Sequence, residues 1–542
     1  MGERYRDEPA PSGVPSPKRG TESGFPFSDV NLPSVVKNSN HNNGNGNGGS
    51  DEKEWRWTDQ LSRGTITVPS LKYVLELSLR TLVFLLPSFL QRSPKAQTSP
   101  SQTAHLDGLR GVASFLVFVH HASYICYPVH WSYGGGNEDN RHEGILYLPG
   151  IRLLWAGGSW VCVFFVISGY ALSYKPLKQM RAGNFADLLR TESSQLIRRA
   201  MRLYLPAFAA TFTIMLLLYG GYYESTKPIA DSWIFHRVYH EYHKQRSETF
   251  AIQFWDWLIS IKMMVWVFSF DVYGGMTYYD GHLWTIANEF RCSLVLFMTH
   301  ITVSTMRPRM RFITLVLWLA FTHEWGRWDL GLFICGFMLA EYDLAHNHRS
   351  FSTILPHSAE ASPTRSRLTA RIPPRYLSWL STTMWWSFVC CGLFLMSYPE
   401  EGDDTTPGYI WLSAHVHPAP GLQRWRFWPA VGAVQLVWGV NNLPVLQRLL
   451  NTSLIRYLGS ISYGLYLVHG FVLHTVGYHV MKFWWTITGT NTEAMYSLGF
   501  VLSFITFTPA VIWAGDVFWR AVDLRAVDFA RWVEGKIIVK RS

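Results

Sequence analysis

The chain has 542 residues, 48% of them apolar and only 16% charged, with 25 Trp and 33 Phe. This balance is too rich in bulky apolar side chains for a string of soluble domains and predicts an all-α, polytopic membrane protein. The formal charge of +10 is spread over loops and tails, as the positive-inside rule requires, which argues against nucleic-acid binding. The six cysteines lie in or beside apolar runs without a CxxC pair, which argues against a disulfide framework or a zinc–thiolate site.

Residues 1–54 are polar, with the low-complexity run HNNGNGNGG at 41–49, and read as a disordered cytoplasmic tail. The tail has no apolar core of a signal peptide, so no cleavable signal is expected. Residues 55–104 form a linker with an amphipathic stretch at 71–90, where Lys72, Glu76 and Arg80 recur every four residues. That spacing predicts an interfacial helix.

The stretch from His105 to Tyr127, HLDGLRGVASFLVFVHHASYICY, begins polar and continues apolar. Eleven residues of α-helix advance about three turns, so Arg110 and His121 share one face roughly 16 Å apart along the axis, while His120 is turned about 80° away. A guanidinium and an imidazole on one face of a membrane helix must look toward protein or water.

Further spans are expected near 151–174, 200–221, 283–305, 311–325, 328–344, 378–397, 427–443, 455–476 and 495–518, about ten with the first at 109–127. The segment 254–270 is apolar enough to be an eleventh. Leaving it out of the count places Arg307, Arg309 and Arg311, the later arginines at 349–375 and the basic tail 520–542 inside, with Glu400–Asp404 outside. Both termini are then cytoplasmic.

Four further landmarks follow the first helix in order: GSWVCVFFVISGYALS at 158–173, IRRAMRLYLPAF at 197–208, GHLWTIANEF at 281–290 and SISYGLYLVH at 460–469. With LDGLRG and the Arg-x10-His spacing, they resemble the integral-membrane acyltransferase 3 family, over about residues 105–475. The polar tail ahead of them points to a eukaryotic, fungal member. The resemblance implies an O-acyltransferase domain at 105–519 that moves an acyl group, acetyl in the first instance, from acyl-CoA to a hydroxyl of a carbohydrate or small metabolite. The alternative reading of the same polar residues is a proton- or anion-coupled transporter or exporter.

Residue by residue, a desolvated His121 favours the neutral imidazole, which can act as general base or carry the acyl group briefly. Arg199 and Arg202, at i and i+3, share a face and suit the phosphates of acyl-CoA, with Arg110 as a further contact. Arg198 points elsewhere and reads as a topology anchor. Glu289 lies inside a span, where a carboxylate needs a partner; it is expected to bind the acceptor, orient His121 or neutralise an arginine. Trp284 is a stacking surface for substrate or an interfacial aromatic. His236, His240 and His243 have helical spacing but no fourth ligand, so no metal is expected. The expected partners are the bilayer, acyl-CoA and a hydroxylated acceptor.

Overall fold

The computed structural model describes residues 71–91, 103–136, 141–242, 244–268, 275–352, 374–415 and 424–538. The expected tail at 1–54, the linker up to 70, and Arg365, Arg367 and Arg371 lie outside the described residues. No strand occurs among the described residues beyond an isolated bridge between Thr277 and Asp280.

In chain order the helices are α1 (Leu71–Leu85), α2 (Ala104–Ser123), α3 (Gly157–Arg181), α4 (Phe185–Tyr219), α5 (Tyr222–Ala230), α6 (Phe250–Met264), α7 (Trp284–Val303), α8 (Pro308–Glu324) and α9 (Trp328–Ser352). They continue as α10 (Pro374–Met396), α11 (Ile410–Ala414), α12 (Arg424–Asn442), α13 (Pro444–Leu450), α14 (Ser453–Val472), α15 (Tyr478–Thr488), α16 (Glu493–Phe518) and α17 (Leu524–Ile537). By length and composition, four described segments are apolar enough to cross a membrane: Gly157–Arg181, Phe185–Tyr219, Trp379–Met396 and Glu493–Ile537, the last running through α16 and α17. The helix in the doubtful 254–270 stretch, α6, has 15 residues, roughly 22 Å and short of a ~30 Å hydrocarbon core.

Two boundaries differ from expectation for physical reasons. α2 stops at Ser123, because Tyr124–Tyr127 turn down toward Pro128. His121 therefore sits in the last turn of its helix. The expected span from 151 begins only at Gly157, since Ile151–Leu154 form a short 3-10 turn around Arg152. The Arg152 side chain is fully buried and donates to the carbonyls of Val129, Trp131, Ser397 and Tyr398. Five rigid donors make guanidinium suited to tying loop backbones together in this way.

Small residues let the central helices approach. A Cβ on Gly111 of α2 would stand 2.3 Å from the Gly459 nitrogen of α14, and one on Gly336 of α9 2.3 Å from the Val166 carbonyl of α3. Such contacts drive helix association in a bilayer, where burial of apolar surface supplies little. A polar staple adds to them: His300 of α7 bridges Glu192 of α4 at 2.9 Å and Ser173 of α3 at 2.9 Å. All three residues are buried, so this Ser–His–Glu arrangement is closed to substrate and holds three helices.

Candidate functional site

The N-terminal end of α2, α3, α4, α7, α14 and α17 surround a cavity of about 480 Å³. Five arginines line it: Arg110, Arg198, Arg199, Arg202 and Arg531. Asp107 and Glu289 are the carboxylates in its wall. The lone turn IRRAMR of α4 supplies three of the cations because 198, 199 and 202 fall within about one helical turn. Arg198, expected to point elsewhere, lines the cavity as well, with its Nε 3.3 Å from Glu534.

Within the cavity the Arg199 guanidinium is fixed twice, Nη2 to Glu289 at 2.6 Å and Nε to Ser293 Oγ at 2.6 Å. Glu289 also accepts from Ser168 Oγ at 2.7 Å. Of the roles expected for Glu289, the geometry displays neutralisation of an arginine; among the described residues its carboxylate bonds Ser168 and Arg199, not His121. Arg110 faces Asp107 at 3.6 Å, and Arg202 makes no ion pair among the described residues.

The inner wall ends at Thr285 and Tyr466. Their hydroxyls lie 2.5 Å apart, and that of Tyr466 donates to the His282 carbonyl at 2.5 Å. Beyond stands a trio of imidazoles. The His121 ring centroid is 3.9 Å from that of His282 and 5.2 Å from that of His469, and His282 and His469 are 5.1 Å apart. His121 Nδ1 and His469 Nε2 have no hydrogen-bond partner among the described residues. The His469 Nδ1–H donates to the Tyr466 carbonyl at 2.7 Å, which leaves Nε2 as the acceptor.

His282 is held between two carboxylates, Nδ1 2.8 Å from Asp280 and Nε2 3.0 Å from Glu241. Burial works against its charge, but Asp280 and Glu241 raise it to about 10. Glu241 is itself buried, yet His474 and His282 hold its carboxyl well below the usual range. It collects hydrogen bonds from the hydroxyls of Tyr124 and Tyr478, and His474 lies 2.5 Å away. The π-turn between α14 and α15 brings His474 to that position.

The ring nitrogens of His121, His282 and His469 lie within 4.8 Å of one another, the spacing of a possible metal site. Both His282 nitrogens face carboxylates, so two imidazoles remain, fewer than the three protein ligands of an ordinary zinc centre. The expected histidine row behaves differently: His236 is buried against Tyr478, His240 packs on Trp233, and His243 lies outside the described residues. His120 bonds the Trp155 carbonyl at 2.7 Å, in keeping with its place off the Arg110–His121 face. Trp284 does not line the cavity; it meets Trp328 edge-on and carries the Arg426 guanidinium 5.0 Å from its ring.

Glu241, Asp280, His282, His469 and Tyr466 were not singled out from sequence. His282 and His469 do sit inside the landmarks GHLW and YLVH, and Glu241 inside HRVYHEYH. The signal for His282 and His469 was a polar residue inside a landmark, and for Glu241 a carboxylate in a histidine-rich loop, neither of which names a partner.

A family model described as an acyltransferase domain matches residues 104–520. An O-acetyltransferase of Phomopsis amygdali, PaAT-1, is 28% identical over 473 residues, covering 84% of this chain and 89% of the relative. Acyltransferase R4 of Phoma sp. is 23% identical, over 78% of this chain and 94% of its own length. Acyltransferase clz18 of Cochliobolus lunatus is 22% identical, over 78% and 93%. No solved structure matches. The match spans most of the chain, from the helix that carries Arg110 and His121 to the end of α16, and so the protein belongs to the acyltransferase 3 family of acyl-transferring enzymes.

Proposed function

We propose that the protein is a multi-pass O-acyltransferase of about ten spans, both termini cytoplasmic, that takes an acetyl or similar acyl group from acyl-CoA to a hydroxyl of a carbohydrate or small metabolite. One observation carries this reading. The arginine-lined cavity ends at Tyr466, whose hydroxyl bonds the His282 backbone, and the His282 ring touches that of His121. A donor with its phosphates on Arg110, Arg199 and Arg202 would point its thioester toward the imidazoles.

His121 would accept the proton of the acceptor hydroxyl as its oxygen bonds the acyl carbon and the carbon–sulfur bond breaks. The proton then passes to the departing thiolate, releasing CoA thiol. On the route through a transient acyl-histidine the imidazole nitrogen bonds the acyl carbon as the thiolate leaves, and the acceptor oxygen then displaces the imidazole, its proton passing to the thiolate. His282 lies between two carboxylates, hydrogen-bonded to Glu241 and in ion-pair contact with Asp280, so its contribution is a fixed charge beside the reacting groups. The name of the Phomopsis relative, an O-acetyltransferase, supports oxygen as the acceptor atom and acetyl as the group.

The test is acetyl-CoA turnover by protein in nanodiscs with a panel of sugars and alcohols, following free thiol and the mass of the product. Acceptor-dependent thiol release with an acetylated product is expected. Proton-coupled flux of a solute without thioester consumption would support the transporter reading instead.

A further inference from the structure

The matched acyltransferase domain ends at residue 520, yet the cavity wall does not. After a π-turn at Trp519–Asp523 the chain continues as α17, which packs on α4 and contributes Val527 and Arg531 to the lining. Glu534, one turn on, accepts from Ser194 Oγ at 2.5 Å and pairs with Arg198 at 3.3 Å. The helix is thus fastened to the turn of α4 that carries the cationic cluster.

The five cavity arginines are not equally committed. Arg199 is taken by Glu289, Arg198 by Glu534, and Arg110 faces Asp107, while Arg202, on the same turn of α4, has no ion pair among the described residues. Arg531 has only a 3.5 Å contact with Asp528, in which the two side chains are 66% and 67% exposed. An exposed pair of that kind is worth little and is easily exchanged for a better anion. Arg531 therefore belongs to the solvent-exposed part of the lining, hydrated and weakly held, whereas Tyr466 belongs to its buried part.

Coenzyme A matches this order. If its thioester approaches the imidazoles, its pyrophosphate lies farther out, and the phosphate on the ribose 3′ oxygen is at the outermost end. We propose that α17 is a wall of the donor site added beyond the family domain, and that Arg531 binds the 3′-phosphate of the donor nucleotide, with Glu534 positioning the helix. This inference rests on the acyl-CoA reading above. Guanidinium forks bind phosphate through paired charge-assisted hydrogen bonds, which makes Arg the suitable residue there.

The experiment uses the full chain in nanodiscs and measures binding of CoA and of dephospho-CoA, which lacks only the 3′-phosphate, by calorimetry. Wild type should bind CoA about tenfold more tightly than dephospho-CoA, a difference typical of one charge-assisted contact. Arg531→Gln should remove that preference by weakening CoA alone, and Arg531→Lys should restore part of it. Glu534→Gln should reduce the preference less than Arg531→Gln does. Equal affinity of wild type for both ligands would overturn the assignment, as would an Arg531→Gln variant that keeps the preference or weakens both ligands alike. Binding of neither ligand by wild type would overturn the acyl-CoA reading along with it, whereas acetyl-CoA turnover with an unchanged preference would overturn the α17 assignment alone.

Discussion

Arg199 and Glu289 form a 2.6 Å ion pair between α4 and α7, with Ser168 and Ser293 bonded to its two ends. The pair is about four-fifths buried on each side, so its geometry is held by protein more than by solvent. It turns one cation of the cluster into a fixed wall of the cavity.

Removing Glu289 should therefore act through Arg199. Glu289→Ala is expected to raise the KM for acetyl-CoA about tenfold or more, by releasing the guanidinium. The double variant with Arg199→Ala should be no worse than Arg199→Ala alone, because the two residues work as a unit. Steady-state kinetics on the four proteins check this, and additive losses would count against it.

Glu241 gathers Tyr124, Tyr478, His282 and His474 from α2's end, α15, the turn before α7 and the π-turn. Glu241→Gln removes the charge that supports the His282 imidazolium and leaves the arginine cavity untouched. The expected outcome is a fall in kcat of at least about tenfold with CoA affinity unchanged, read by turnover and calorimetry on the same preparation.

Outside the lining of the arginine cavity, Glu400 Oε2 lies 2.9 Å from His130 Nδ1. Burial works against both charges, but the hydrogen bond between them raises His130 above its ordinary 6.5 and lowers Glu400 from 4.5 to about 2. The Glu400 contribution is present above pH 4.5 and is lost as the pH falls through about 2; the His130 contribution is present below 6.5 and is lost as the pH rises through its folded value. Glu400→Gln should cost about 1 kcal/mol near pH 5.5, and less near pH 9. Thermal unfolding of both proteins across that range checks the sign.

Gly336 meets the Val166 carbonyl and the Tyr170 nitrogen of α3, where an added Cβ would stand at 2.3 and 2.5 Å. Backbone cannot step aside as a side chain can, so Gly336→Ala should separate α3 from α9 and destabilise the protein by about 1–3 kcal/mol. Gly150, at φ +85 with open space around it, should be sensitive for conformational reasons only. Unfolding midpoints in one detergent compare the two.

Arg110, His121 and the pair Arg199 and Arg202 were legible because helical periodicity alone puts them on common faces. The landmarks also placed α3, α4, α7 and α14 close to where they lie. The partner of His121 was not legible, since His282 reaches it only when the turn before α7 packs against the end of α2, a contact between residues 161 apart in the chain. Glu241 was hidden further, on an irregular loop whose hydrogen bonds have no period. Arg198 was expected to point away from Arg199 and Arg202 yet lines the cavity beside Glu534, because α17 looked from its basic composition like a tail. Trp284 was expected either as a stacking surface or as an interfacial aromatic, and in the fold it packs against Arg426 and Trp328.

The most direct test of the account is His121→Ala. His121 stands at the end of α2 beside His282 and His469, its Nδ1 without a hydrogen-bond partner among the described residues. Acetyl-CoA turnover and CoA binding should be measured together in nanodiscs, with the acceptor that gives the fastest wild-type release. Loss of about 10²–10⁴-fold in acceptor-dependent thiol release, with CoA affinity within about twofold of wild type, is the predicted result. Turnover at the wild-type rate in the variant, with CoA still bound, would contradict a catalytic role for His121 and the mechanism built on it.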